Sequence, residues 1–162
     1  MAAGNTYVAI ATQTLGSATA SVTFSSIPST YTDLVLVVNG AASAGDNIYL
    51  QFNGDTTTNY SGTYIYGDGT SAVSGRNTTT ATASIGYLST TQGSAICHIM
   101  NYANTTTYKT YLARWNGLTT LVAASVALWR KTPEAITSIK VGFASSTFNT
   151  GSTFSLYGIL AA

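Results

Sequence analysis

Apolar and polar positions alternate along most of the chain, and the strongest apolar run lies in its first quarter. Ile27-Pro28-Ser29-Thr30-Tyr31-Thr32 gives a proline turn, and Asp33-Leu34-Val35-Leu36-Val37-Val38 then runs to the turn signal Asn39-Gly40. In an extended strand Leu34, Leu36 and Val38 point one way, and Val35 and Val37 the other. Both faces are apolar. This predicts a strand in the middle of a sheet, covered on both sides by its own fold or by a partner.

The rest of the chain reads as shorter strands around that centre. Tyr7 to Thr12 alternates Val8 and Ile10 against Tyr7 and Ala9, and Ala18 to Phe24 follows the turn at Gly16-Ser17. Ile48, Leu50 and Phe52 mark one face of the next strand, which stops at Asn53-Gly54-Asp55, residues that tolerate a left-handed turn. Residues 56–80 are the least regular part, with a short strand expected at Thr63 to Tyr66 between two exposed polar loops. Strands then follow at Thr82 to Leu88 and Ser94 to Asn101. Tyr108 to Trp115 and Leu118 to Arg130 flank Asn116-Gly117, a short-range hairpin signal. Ile139, Val141 and Phe143 give a penultimate strand, and the final run Ser155 to Leu160 is apolar enough to require pairing inside the fold. No stretch has the 3.6-residue period of an amphipathic helix. About ten short strands with Gly and Asn turns predict an all-β fold, a single antiparallel β-sandwich wound like a jelly roll.

At 162 residues the chain suits one domain, 1–162, with a full core. Composition changes the picture more than length does. Charged residues make up 7% of the chain, against roughly 25% in ordinary soluble proteins. Such a surface suits a fixed place in an assembly or a polar, uncharged ligand better than a free monomer. The net charge of +1 gives no basic stripe for nucleic acid. No apolar stretch approaches the ~20 residues of a membrane helix, and Met1 to Asn5 lacks the basic end and apolar run of a signal peptide. Synthesis and folding in a cytoplasm are therefore expected.

Candidate chemistry is sparse. Cys97 is the single cysteine and His98 the single histidine. As strand neighbours they point to opposite faces and cannot form a nucleophilic pair. The five carboxylates, Asp33, Asp46, Asp55, Asp68 and Glu134, are scattered through turns. There Asp commonly serves the local backbone, and a glycosidase would need two of them facing each other. Spacing around Asp46-Asn47 and Gly67-Asp68-Gly69 matches no known calcium loop, and no glycine-rich cradle opens a helix. These residues predict no catalytic site, no cofactor and no metal. Tyrosine is the more informative feature. Tyr60, Tyr64 and Tyr66 fall in the irregular region, where they could stack on sugar rings or anchor an interface.

Several phrases resemble a known family. They are Ser26-Ile27-Pro28-Ser29-Thr30-Tyr31-Thr32-Asp33-Leu34-Val35-Leu36, Phe52-Asn53-Gly54-Asp55 with Asn59-Tyr60-Ser61, Asn101 to Thr110, and Gly151 to Ile159. Spread from about Tyr7 to Ile159, they are similar to small β-rich proteins of tailed bacteriophages, including phages of aquatic bacteria and cyanobacteria. The resemblance implies a virion structural protein, made in the host bacterial cytoplasm, and carries no catalytic residues. Two placements follow from it. One is a decoration, or cement, protein on the capsid surface, bound to the major capsid protein across capsomer seams. The other is a tail-fibre tip whose tyrosine-rich loops hold host glycans. The chain has no heptads, collagen-like triplets or β-helical repeats for a shaft, which favours cement.

The Asn116-Gly117 hairpin adds an expectation about assembly. Trp115 shares a face with Tyr111 and Lys109, and the partner strand carries Leu121, Ala123 and Trp129 on one side and Val122, Ala124, Val126 and Leu128 on the other. One side can join the core; the other leaves an apolar patch that symmetry mates could cover. A homotrimer is expected, with Tyr108, Tyr111, Trp115, Leu121 and Trp129 as contact residues. The competing expectation is that a second sheet or residues 56–80 cover the patch within one chain.

Overall fold

The computed structural model describes residues 6–117 and 120–160. Twelve strands follow one another: β1 (Tyr7–Thr14), β2 (Ser21–Phe24), β3 (Asp33–Gly40), β4 (Asp46–Phe52), β5 (Tyr60–Gly67), β6 (Ala72–Thr80), β7 (Ala83–Leu88), β8 (Gly93–Ile99), β9 (Lys109–Gly117), β10 (Leu121–Trp129), β11 (Ile139–Gly142) and β12 (Thr153–Ile159). They form a β-sandwich of two antiparallel sheets. The larger has eight strands in the order β1-β12-β3-β8-β9-β10-β5-β6, and the smaller has four, β2-β11-β4-β7. With the β5–β6 and β9–β10 hairpins set aside, successive strands alternate between the sheets except at β4 and β7, which pair within the smaller one. The order that remains, β1-β12-β3-β8 over β2-β11-β4-β7, is consistent with jelly-roll-like winding.

The central strand is β3, held between β12 and β8. Leu34, Leu36 and Val38 are fully buried between the sheets with Ile48, Leu50 and Phe52 of β4 and Ile139 and Val141 of β11. Each such side chain contributes roughly 1.5–3 kcal/mol by leaving water. Val35 on the other face is also buried, flanked by Tyr157 and His98. The final strand β12 pairs with both β1 and β3, the internal pairing expected of it, and buries Phe154 and Leu156, while Leu160 beyond its end is exposed. Gly158 on β12 leaves room for the Tyr31 ring, whose Cγ lies 2.2 Å from where a Cβ would stand.

Two aromatic clusters fill the ends of the core. Phe143, Phe148 and Phe154 pack at one end, with centroids 4.3 and 4.7 Å apart in succession. At the other, Phe52 lies against Trp129, Tyr60 and Tyr111. Ser125, the polar break in β10, is buried there and donates to the Ser84 carbonyl on β7 at 3.1 Å; Tyr111 Oη donates to the same oxygen at 3.0 Å. Two polar side chains of the larger sheet thus grip the smaller one beside the β4–β7 bulge.

Several expectations need correction. Residues 56–80 hold a hairpin, β5–β6, with a register shift between Tyr60 and Gly62, and not one short strand between loops. Its turn is closed by Asp68, whose carboxylate accepts N–H groups of Thr70 and Ser71. Alternation is absent from β6 because this edge strand is exposed along nearly its whole length on both faces. The second strand starts at Ser21, after an isolated bridge at Thr19. Asn116 and Gly117 do not form the hairpin turn; they end β9, paired with Val122 and Leu121. The expected strand start at Leu118 lies outside the described residues.

Candidate functional surface

The two faces of the β9–β10 hairpin have opposite fates. Inward, Lys109, Tyr111 and Ala113 of β9 and Ser125, Ala127 and Trp129 of β10 are buried. Outward, Val122 is 62% exposed, Val126 53%, Leu112 of β9 51% and Ile65 of β5 59%. Register shows that these belong to one surface, because Leu112 is opposite Val126, and Ile65 is opposite Ala124. The smaller sheet covers the inner face only, and β5–β6 extends the larger sheet sideways without folding over it. Neither structure expected to cover the patch from within the chain does so.

This corrects the contact residues predicted from sequence. Tyr111 and Trp129 are core residues, with about 1% of their surface exposed, and cannot meet a neighbour through their side chains. Trp115 and Leu121 are half-buried on the inner face, and Tyr108 is exposed just before β9. The exposed apolar residues are the alternates on β10 together with Leu112 and Ile65. Alternation in β10 gave the two faces; nothing in the sequence pattern singled out Leu112 or Ile65 as their neighbours.

The tyrosines also divide. Tyr60 is buried in the core: its hydroxyl accepts the Phe52 N–H at 2.9 Å, and burial raises its pKa. It is not a loop contact. Tyr64 and Tyr66 lie on the inner side of the overhanging hairpin, half-buried, with centroids 6.3 Å apart and planes 18° from parallel. Tyr64 lies across Gly75 of β6, where an added Cβ would stand 2.3 Å from its hydroxyl. The two rings stack, and Gly75 makes room for the Tyr64 ring.

All five carboxylates are engaged within the chain. Asp33 bonds His98 Nε2 at 2.8 Å and accepts the Asn101 N–H at 2.7 Å. Asp46 accepts the Asn47 and Ser145 N–H groups. Glu134 accepts from Asn53 Nδ2 and Lys131 Nζ, each at 3.0 Å. Asp55 is buried and takes four hydrogen bonds, from the Thr57 N–H and hydroxyl, Asn59 Nδ2 and Trp129 Nε1, the last at 2.7 Å. Burial alone would raise its pKa, but these donors outweigh burial and hold the carboxyl well below the usual range. The Asp55–Trp129 bond joins the β4–β5 turn to the end of β10, a link that no local spacing in the sequence shows.

Cys97 and His98 face opposite sides as expected: the thiol is buried, with its pKa pushed up by burial, and the imidazole sits on the outer face. Among the described residues no group of three metal-ligating side chains occurs. Lys109 is buried at the start of β9, its Nζ donating to the Thr107 carbonyl at 2.7 Å; burial lowers its pKa, against the opposing charge of Glu134. Arg114 and Arg76 stand exposed on the outer face, and neither forms an ion pair among the described residues. Compared with known protein families and curated proteins, the chain matches none.

Proposed function

We propose that this protein is a structural component of a bacteriophage particle, a decoration or cement domain that binds the outside of the mature shell and bridges capsomer seams. One observation carries the reading most directly: a broad, carboxylate-poor sheet face with exposed Val122, Val126, Leu112 and Ile65 and no cover of its own. A free monomer rarely leaves such a face open. A protein that binds only the assembled lattice stabilises it by mass action. Contacts made chiefly from apolar area, with any ion pairs enclosed at its ends, lose little to salt. Copies are proposed to associate as a trimer through sheet edges. There β6 offers an unpaired backbone with no Pro or Lys to discourage pairing.

The test is to image intact particles carrying a tag on this chain, then wash them in rising NaCl. Label spread over the head and retained at 1 M salt is expected. Label confined to the tail end would refute the placement, and release by moderate salt would refute the adhesive mechanism.

The Tyr64–Tyr66 pair favours a second reading, a receptor-binding module that holds a host glycan by ring stacking. A glycan array probed with wild type and Tyr64→Ala separates the two. Binding that the variant loses, with tail-end label on particles, would replace the decoration reading.

A further inference from the structure

We infer that the outer face of the larger sheet docks a partner protein presenting an apolar strip bracketed by carboxylates, and that its occupant is not a second copy of this chain. The inference deepens the decoration reading and rests on it only for the partner's address, the shell.

The face is large enough for a protein. Eight strands at a spacing of ~4.8 Å span about 34 Å, and strand lengths near eight residues give ~26 Å in the other direction. That is of the order of the ~800 Å² per partner of a standard interface. Its relief is shallow. Val122 forms a ridge between two open depressions of about 430 and 640 Å³. The first is lined by Val37, Ile96 and Arg114, the second by Ile65 and Ala124.

Charge then selects the occupant. Arg114 pairs in register with Ala124, and Arg76 with Thr63, so the two guanidiniums share the outer face with Val122 and Val126. Three inter-strand gaps separate β9 from β6, about 14 Å, with Ala124, Val126 and Ile65 between them. Covering a guanidinium without an opposite charge strands a desolvated cation. A partner that seats on the apolar strip must therefore bring carboxylates to both ends. The carboxylate that this chain has on the same face, Asp33, is already bonded to His98 and to the Asn101 N–H, so with strip laid on strip a second copy brings no free carboxylate to the arginines. Two copies face to face would set arginines against arginines.

The test uses the full chain and two probes. Shells of the encoding phage, assembled without this protein, are mixed with it and sedimented. Wild type and Lys140→Gln, which changes a charge on the smaller sheet, should co-sediment. Arg114→Glu with Arg76→Glu should bind at least tenfold more weakly, and Val126→Glu likewise, with circular dichroism confirming that all are folded. Equal binding of the double arginine variant would overturn the inference. The second probe, anilinonaphthalene sulfonate, is an apolar ring system with one anionic group, and it needs no shell. Its fluorescence should rise with wild type, and Arg114→Gln and Val122→Ser should each weaken binding at least fivefold. If wild type fails to sediment with shells, the decoration reading fails, and the dye result decides the docking surface on its own. A wild type that self-associates in sedimentation velocity, and that Val126→Glu disperses, would overturn the inference in favour of a second copy.

Discussion

Asp55 is predicted to be the most sensitive polar position in the molecule. Its carboxylate is buried and accepts four hydrogen bonds, one of them from the fully enclosed Trp129 indole. Hydrogen bonds to a charged group are worth about 1.5–3 kcal/mol each, and a buried donor left without its acceptor costs about 1–3. The Thr57 and Asn59 donors lie near the surface and can turn to water, whereas the Trp129 N–H cannot. Asp55→Ala should therefore lose about 3–5 kcal/mol and Asp55→Asn about 2–3, where one amide oxygen still accepts. Set against a total of about 5–15 kcal/mol, either loss is large. At about 2–4 °C per kcal/mol for a chain of this size, Asp55→Ala should melt roughly 6–20 °C lower. The sign with pH follows from the depressed pKa. The stabilisation is full above the unfolded carboxyl value near 4 and is lost as pH falls towards the lower folded value. Urea unfolding followed by tryptophan fluorescence from pH 7 to pH 2 measures both effects. Wild type should lose stability steeply below pH 4, and Asp55→Asn should show a shallower slope. A variant as stable as wild type at pH 7, with the same acid slope, would refute the reasoning.

Other outcomes follow from single contacts. Ser125→Ala and Tyr111→Phe each remove one donor to the Ser84 carbonyl and should cost about 1 kcal/mol. The double variant should cost more than the sum, because each single variant leaves the carbonyl one donor and only the double removes both; urea midpoints test this. Gly158→Ala drives a Cβ into the Tyr31 ring and should destabilise by about 1–3 kcal/mol, seen as a lower melting temperature. Val122→Ser sits on the open face and should leave stability within about 0.5 kcal/mol by the same measurement. Gly75→Ala should displace the Tyr64 ring, which a changed near-ultraviolet tyrosine signal would reveal.

Much of the architecture was legible in the residues themselves. The apolar run Leu34 to Val38 identified a central strand, and period-two alternation in Ile48 to Phe52 identified a strand and its inward face, because side-chain direction in a strand is a local property. The same rule separated Cys97 from His98 and divided β10 into a buried and an open face. Turn residues marked Asn53-Gly54, where φ is +51° and +67°, for the same local reason. Tertiary structure decided everything that depends on which strands become neighbours. Tyr60 joined the core and Tyr64 did not, although they lie on one strand, because the smaller sheet ends beneath one and not the other. Trp129 found its partner in Asp55, seventy-four positions away. The open face drew Leu112, Val126 and Ile65 from three strands, and Arg114 and Arg76 came to bracket it from β9 and β6. Alternation states which way a side chain points; only strand order states what it meets there.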